Sequence, residues 1–306
     1  MSVLPHALKT ALEEHGKTEV LGASFVSGGM INKAACVQTA SGPLFIKWND
    51  SAPSDMLRQE ANALDTISAT HTLRVPKVIG FHDLGTLRQD EEDGSIRAPQ
   101  YLILEYIDQS PPLDPASFAA QFGSLLAAMH LQKKDTPGFG HWEANFIGRL
   151  PQNNDWRPTW VEFYRDCRIL PQMEISRGLG RLPIDRERLL MNICDRLAEI
   201  LKGLDSHPSL LHGDLWSGNY LTAGDEPVVI DPAVYYGERE MEIAFMKLFG
   251  GFPSGVFEAY NEAYPLQPGY ERRRALHQLY PLLVHLNHFG EPYGQDVDGV
   301  CRQYLD

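Results

Sequence analysis

The chain has 306 residues, 43% of them hydrophobic, which is enough for one large core or two moderate ones. Lys and Arg number 27 against 40 Asp and Glu, a formal net charge of −13. Nucleic acid and anionic membrane surfaces would repel such a chain, so neither is expected as a partner. The cysteines, Cys36, Cys167, Cys194 and Cys301, are too far apart for a zinc knuckle or a CxxC redox pair and read as reduced thiols of a cytoplasmic protein. Met1–His6 does not have the pattern of a secretory leader. No apolar run approaches the roughly 20 residues a membrane helix needs.

In chain order, Leu4, Ala7, Leu8, Ala11 and Leu12 predict a helix over 4–15. Short β-prone runs follow at Val20–Val26, Ala34–Gln38 and Leu44–Trp48, broken at Ser27-Gly28-Gly29 and Ser41-Gly42-Pro43. A second helix is predicted over 54–68, from Met56, Leu57, Ala61, Leu64 and Ile67 on one side. An extended piece starts at Val75, an acidic loop spans 85–99, and Tyr101–Ile107 is the strongest strand. Beyond Pro111-Pro112 the pattern turns helical, opening on the cap pair Asp114-Pro115. Further helices are predicted near 159–170, 185–203, 240–249 and 271–289. This order predicts an α+β chain, mainly sheet with one inserted helix over 1–107 and mainly helical over 108–306.

Phosphoryl transfer from ATP needs few parts, in a fixed order. Asp214 and Asn219 stand at the Asp-x4-Asn spacing, and Asp231 follows the apolar strand Val228-Val229-Ile230. Asp214 is the candidate general base for an attacking hydroxyl. Asn219 and Asp231 carry the hard oxygens that Mg2+ prefers. Lys47 closes the run Leu44-Phe45-Ile46 and fits the lysine that contacts the α- and β-phosphates, with Glu60 on the next helix as its partner. Gly28 and Gly29 would let backbone N–H groups approach phosphate, although a Gly-Gly hairpin turn has the same signature. Asn32 is a further candidate contact. Glu105, Tyr106, Ile107 and Asp108 occupy the place of the adenine hinge. Gly16-Lys17-Thr18 lacks the first glycine and the preceding strand of a Walker A loop. His285 and His288 favour packing or substrate-side polar roles over metal binding.

His212-Gly213-Asp214-Leu215-Trp216-Ser217-Gly218-Asn219, Asp231-Pro232-Ala233-Val234-Tyr235-Tyr236-Gly237 and Phe249-Gly250-Gly251-Phe252 together resemble the fructosamine kinase (ketosamine-3-kinase) family. More distantly the chain is similar to aminoglycoside and choline phosphotransferases. The likeness extends over nearly the whole chain, through Phe45-Ile46-Lys47, Glu60, Pro151-Gln152-Asn153 and Asn287-His288-Phe289-Gly290. It implies a bilobal protein-kinase-like fold, with a nucleotide-binding lobe over 1–107 and a catalytic, substrate-binding lobe over 108–306. It also implies ATP-dependent phosphorylation of the C3 hydroxyl of ketosamines, whose unstable 3-phosphates release the free amine in protein deglycation. Asp214 would be the proton acceptor, Glu105, Tyr106 and Ile107 the hinge, and Trp216 and Ser217 substrate residues, with the Trp216 indole against the sugar. A loop anchor is the plainer reading of Trp216. Many relatives carry a cysteine after the two glycines where this chain has Met30, so thiol-based dimerisation is not expected, and the oligomeric state is not set by the sequence. Two alternatives stand beside this reading. One is a kinase of the same fold acting on an aminoglycoside, choline or free sugar. The other is a nucleotide-binding scaffold, against which the retained Lys47, Asp214, Asn219 and Asp231 argue.

Overall fold

The computed structural model describes residues 4–26, 32–83 and 99–305. Gly28, Gly29 and Met30 lie outside the described residues. The chain forms two compact units, Met1–Leu113 with Leu221–Pro232, and Asp114–Tyr220 with Ala233–Asp306.

The first unit is built on five antiparallel strands: β1 (Val20–Val26), β2 (Lys33–Thr39), β3 (Gly42–Asn49), β4 (Val78–His82) and β5 (Gln100–Glu105), in the spatial order β1-β2-β3-β5-β4. Side chains alternate across a strand. On β3, Ile46 and Trp48 therefore point to one face, where they join Val37, Ile103 and the apolar stripe Leu8, Ala11 and Leu12 of α1 (His6–Gly16) in a dry core. Lys47 points to the opposite face. The sequence puts Lys47 at a strand end, but the strand continues to Asn49. Lys47 lies in register with Ala34 and Leu102 on the two flanking strands and is 4% exposed. The tract Leu44–Trp48 was too short an apolar signal to show this, because Lys47 itself interrupts it. Helix α2 (Met56–Ser68) buries Met56, Leu57, Ala61, Leu64 and Ile67, the stripe its periodicity predicts.

The segment Leu221–Pro232 was assigned by the sequence division to the second lobe and counts structurally with the first unit. Two short strands, Tyr220–Ala223 and Glu226–Val229, form a hairpin. Backbone hydrogen bonds tie it to distant chain: Val229 N donates to Arg74 O (2.9 Å), Ser110 N to Thr222 O (2.9 Å) and Gly224 N to Ser110 O (3.1 Å). Pairing across such sequence separation leaves no local periodicity to read.

The second unit is mainly helical. Its principal core gathers Trp160, Phe163, Tyr164, Leu190, Ile193, Leu197, Leu276, Leu279 and Leu283. Helix α3 (Pro115–His130) is capped by Asp114, whose carboxylate accepts from Ala116 N and Ser117 N. The helix predicted near 159–170 is present as α4 (Trp160–Phe163), a π-helical segment (Tyr164–Ile169) and α5 (Leu170–Gly178). Helices α6 (Ile184–Ile200), α7 (Arg239–Phe249) and α9 (Tyr270–Phe289) match the expected spans within a few residues. Two further helices, α8 (Val256–Ala263) and α10 (Gly294–Leu305), were not anticipated. The first is hemmed in by Gly255 and Pro265, and the second carries Gly294 and Gly299, each of which lowers helix propensity. Among the described residues no helix is long and apolar enough to cross a membrane.

Candidate active site

In the first unit, three of the sequence-predicted residues meet. Lys47 Nζ contacts a carboxylate oxygen of Glu60 and lies 2.6 Å from Asp231 Oδ1. Burial alone would push the Lys47 ammonium down, but the two carboxylates outweigh it and hold the group above the ordinary lysine range. Lys47 is therefore charged at neutral pH. Burial raises Glu60 to about 7, with Lys47 opposing and Asp231 assisting. One cation is thus shared between two acids. Asp231 has φ 56°, a left-handed conformation that Asp tolerates better than bulkier residues, at the turn that ends the hairpin.

The hinge candidates divide. The Glu105 side chain is spent within the fold: its carboxylate accepts from Arg74 (2.6 Å) and from Lys77 N (3.1 Å). Its backbone N–H is engaged as well, donating to Lys77 O (2.9 Å). Tyr106, Ile107 and Asp108 follow the end of β5 in irregular chain, with Ile107 buried and Asp108 exposed. Asn32 accepts from Asn49 Nδ2 (3.0 Å).

In the second unit the short strand Ser209–Leu211 leads into the His-Gly-Asp turn. Gly213 has φ +84°, and a Cβ there would sit 2.1 Å from Ala233 O. Only glycine fits this turn. Asn219 Nδ2 donates to Asp214 O (2.8 Å) and to Asp214 Oδ2 (3.1 Å). The amide thereby orients the carboxylate and keeps its own oxygen as the remaining acceptor. The Trp216 ring covers Gly218, where a Cβ would clash with it, and is 38% exposed. It is at once a loop anchor and an open apolar face. Ser217 packs against Gly251, joining the catalytic-loop motif to the Phe249–Phe252 motif.

A residue that the sequence reading missed holds this loop from beneath. Glu242 on α7 is 2% exposed and accepts from His212 N (2.9 Å) and Gly213 N (2.7 Å). His130, itself held by Tyr260 (2.8 Å), sits 3.0 Å from the same carboxylate. Burial would raise Glu242, but His130, His212 and the Gly213 N–H outweigh it and hold the group below the usual range. The available signal was an acid set among Met241, Ile243, Ala244 and Phe245, where an unpaired charge would be costly. His285 Nδ1 lies 2.8 Å from Pro281 O, and His288 Nε2 3.2 Å from Ile147 O.

Among the described residues no three His, Cys, Asp or Glu side chains cluster as a metal cage.

The mainly β first unit, the helical second unit and these motifs define a kinase-like phosphotransferase. Hygromycin-bound aminoglycoside phosphotransferase APH(4)-Ia shares this fold, with a TM-score of 0.62 at 15% identity over 97% of this chain and 98% of that one. The chain belongs to the fructosamine kinase family, whose profile it matches over residues 5–306. It is 36% identical to a chloroplastic protein-ribulosamine 3-kinase of Oryza sativa, over 96% of this chain and 82% of that protein. It is 33% identical to the ketosamine-3-kinase of Mus musculus, over 94% and 96%. A crystal structure from Thermobifida fusca assigned as a fructosamine-3-kinase superposes with a TM-score of 0.84, at 34% identity over 98% of both chains.

Proposed function

We propose that this protein transfers the γ-phosphoryl group of ATP to the C3 hydroxyl of ketosamines, that is, fructosamine, ribulosamine or erythrulosamine adducts, and so promotes deglycation. The observation that carries the reading is the geometry of Asp214. Its carboxylate is oriented by Asn219 on a loop that Glu242 anchors, in a chain of the fructosamine kinase family. Relatives named for ketosamine and ribulosamine phosphorylation support the substrate class, and ADP in a structural neighbour supports the nucleotide.

Each residue then has a task. Asp214 accepts the proton of the attacking hydroxyl. Lys47, kept charged by Asp231 and Glu60, pairs with the α- and β-phosphates. Asn219 and Asp231 supply oxygens to Mg2+, which neutralises phosphate charge when bound. Gly28, Gly29 and Asn32 are assigned to nucleotide binding, and the backbone of Glu105 to Asp108 meets adenine. Trp216 offers its indole face to the sugar, with Ser217 beside it. Residues 1–107 are the nucleotide-binding lobe, to which the segment 221–232 adds, and the rest of 108–306 is the catalytic and substrate-binding lobe. The cysteines, all free in the structure, suit the reducing cytoplasm.

Incubation with Mg-ATP and a panel of ketosamines, followed by phosphorus NMR, tests the reading. A ketosamine 3-phosphate is the expected product. Turnover of choline, a free sugar or an aminoglycoside without any ketosamine phosphate would sink it in favour of another acceptor. ATP binding with no acceptor at all would favour a scaffold.

A further inference from the structure

Arg168 is fully buried on the π-helical segment, and no carboxylate among the described residues pairs with it. Its guanidinium donates instead to Asn153 O (2.5 Å), Cys167 O (2.8 Å) and Asn154 Oδ1 (2.9 Å). It lies over three aromatic rings, with centroids of Tyr235 at 3.9 Å, Phe163 at 4.5 Å and Tyr280 at 5.2 Å. Taking a cation out of water without an anion to meet it is costly. Cation–π attraction and neutral acceptors offset only part of that cost. An apolar side chain would fill the same space more cheaply, so the arginine is best explained by what it holds.

What it holds is a relay of buried amides. Asn154 Nδ2 donates to Asn145 Oδ1 (2.9 Å), and Gln152 Nε2 donates to the same oxygen (2.8 Å). Asn145 Nδ2 then donates to Val234 O (2.9 Å), and Gln152 Nε2 also reaches Ala233 O (3.1 Å). Tyr280, one of the rings beneath the guanidinium, donates to Gln152 Oε1 (2.6 Å). Asn145, Gln152 and Asn154 are each at most 5% exposed, so water does not compete for these bonds. The relay ends on the strand that fixes the catalytic loop. Ala233 N donates to His212 O (2.8 Å), Ala233 O is the atom against which Gly213 is packed, and Tyr235 pairs with Leu211.

We propose that Arg168 is a positioning residue for phosphoryl transfer, acting through Asn154, Asn145 and Gln152 to fix residues 233–235 and, through them, the turn that carries Asp214. Glu242 holds the N–H groups of this turn and the Arg168 relay holds its carbonyl side. The kinetic part rests on the ketosamine kinase reading, while the structural part does not.

The test compares Arg168→Lys, which keeps the charge but loses the fork, with Asn154→Ala, which cuts the relay and leaves Arg168 in place. Two quantities are read: amide hydrogen exchange of peptides covering 211–216 and 233–236, and kcat with KM for ATP on a ketosamine. Exchange should quicken about tenfold in these two peptides ahead of the rest of the second unit. The kcat should fall about tenfold or more while KM for ATP stays within about twofold, because a small misplacement of the base costs turnover rather than nucleotide binding. Unchanged exchange in both peptides overturns the proposal, as does a kcat loss that merely follows the unfolded fraction. If the wild type phosphorylates no ketosamine, the functional reading alone fails, and the exchange data still decide the relay.

Discussion

Two residues at the His-Gly-Asp turn show how chemistry and backbone share one site. In the proposed mechanism Asp214 offers a lone pair toward a hydroxyl; in the structure Asn219 fixes its carboxylate by donating to Oδ2. Asp214→Asn keeps an acceptor for that bond and removes the base. We expect kcat to fall by about 10²–10⁴-fold with ATP affinity retained, read by steady-state kinetics and nucleotide titration. A variant retaining full turnover would remove Asp214 from the mechanism. At this scale the sequence was informative wherever chemistry dictates residue type and spacing, as for Asp214, Asn219 and Asp231. It was silent on Glu242 and Arg168, because a buried polar partner is defined by neighbours distant in the chain. At Glu105 the hinge expectation concerns the backbone alone, and the structure adds that the side chain serves Arg74 and Lys77.

Among the elements, the pair α3 and α8 shows most plainly how sequence sets packing. A Cβ on Gly123 would lie 2.2 Å from Val256 O and 2.7 Å from Tyr260 N. Both obstacles are backbone and cannot swing away, so the helices approach as closely as a glycine allows. Gly123→Ala should therefore cost about 1–3 kcal/mol through overpacking, seen as a lower midpoint in thermal or urea unfolding. The kcat of the folded fraction should hold. An unchanged midpoint would show that the pair separates without penalty. This contact could not be read in advance, since α8 itself went unanticipated. The stripe of α2 was legible because it buries one face along several turns, and α9 was legible from Leu276, Leu279, Leu283 and Leu286, although it buries every residue from Leu279 to Val284.

For the molecule as a whole, two neighbouring buried acids pull stability in opposite directions with pH. Burial raises Glu238 from its usual 4.5 to about 7, with Glu240 adding to the shift. The folded state thus holds this proton more tightly than the unfolded chain. The associated stability is complete below pH 4.5 and is lost as pH rises through 7, a difference of about 3 kcal/mol. Burial also works to raise Glu240, but His277 and Arg273 outweigh it and depress the group to about 2. Its contribution is present above pH 4.5 and fades as pH falls toward 2. Glu238→Gln keeps an acceptor for Glu240 N and cannot ionise. Its melting temperature relative to wild type should rise from pH 5 to pH 8. A difference independent of pH would contradict the burial argument.

The hairpin that ends at Pro232 also bears on how the chain is made. The first unit lacks its last segment, Leu221–Pro232, until more than a hundred residues of the second unit have been synthesised. A nascent chain that has emerged from the ribosome up to Leu113 contains all five strands of the sheet, Lys47 and Glu60, but it does not yet have Asp231. The lysine therefore meets its second acid late in translation, and no single cut in the chain yields both units whole.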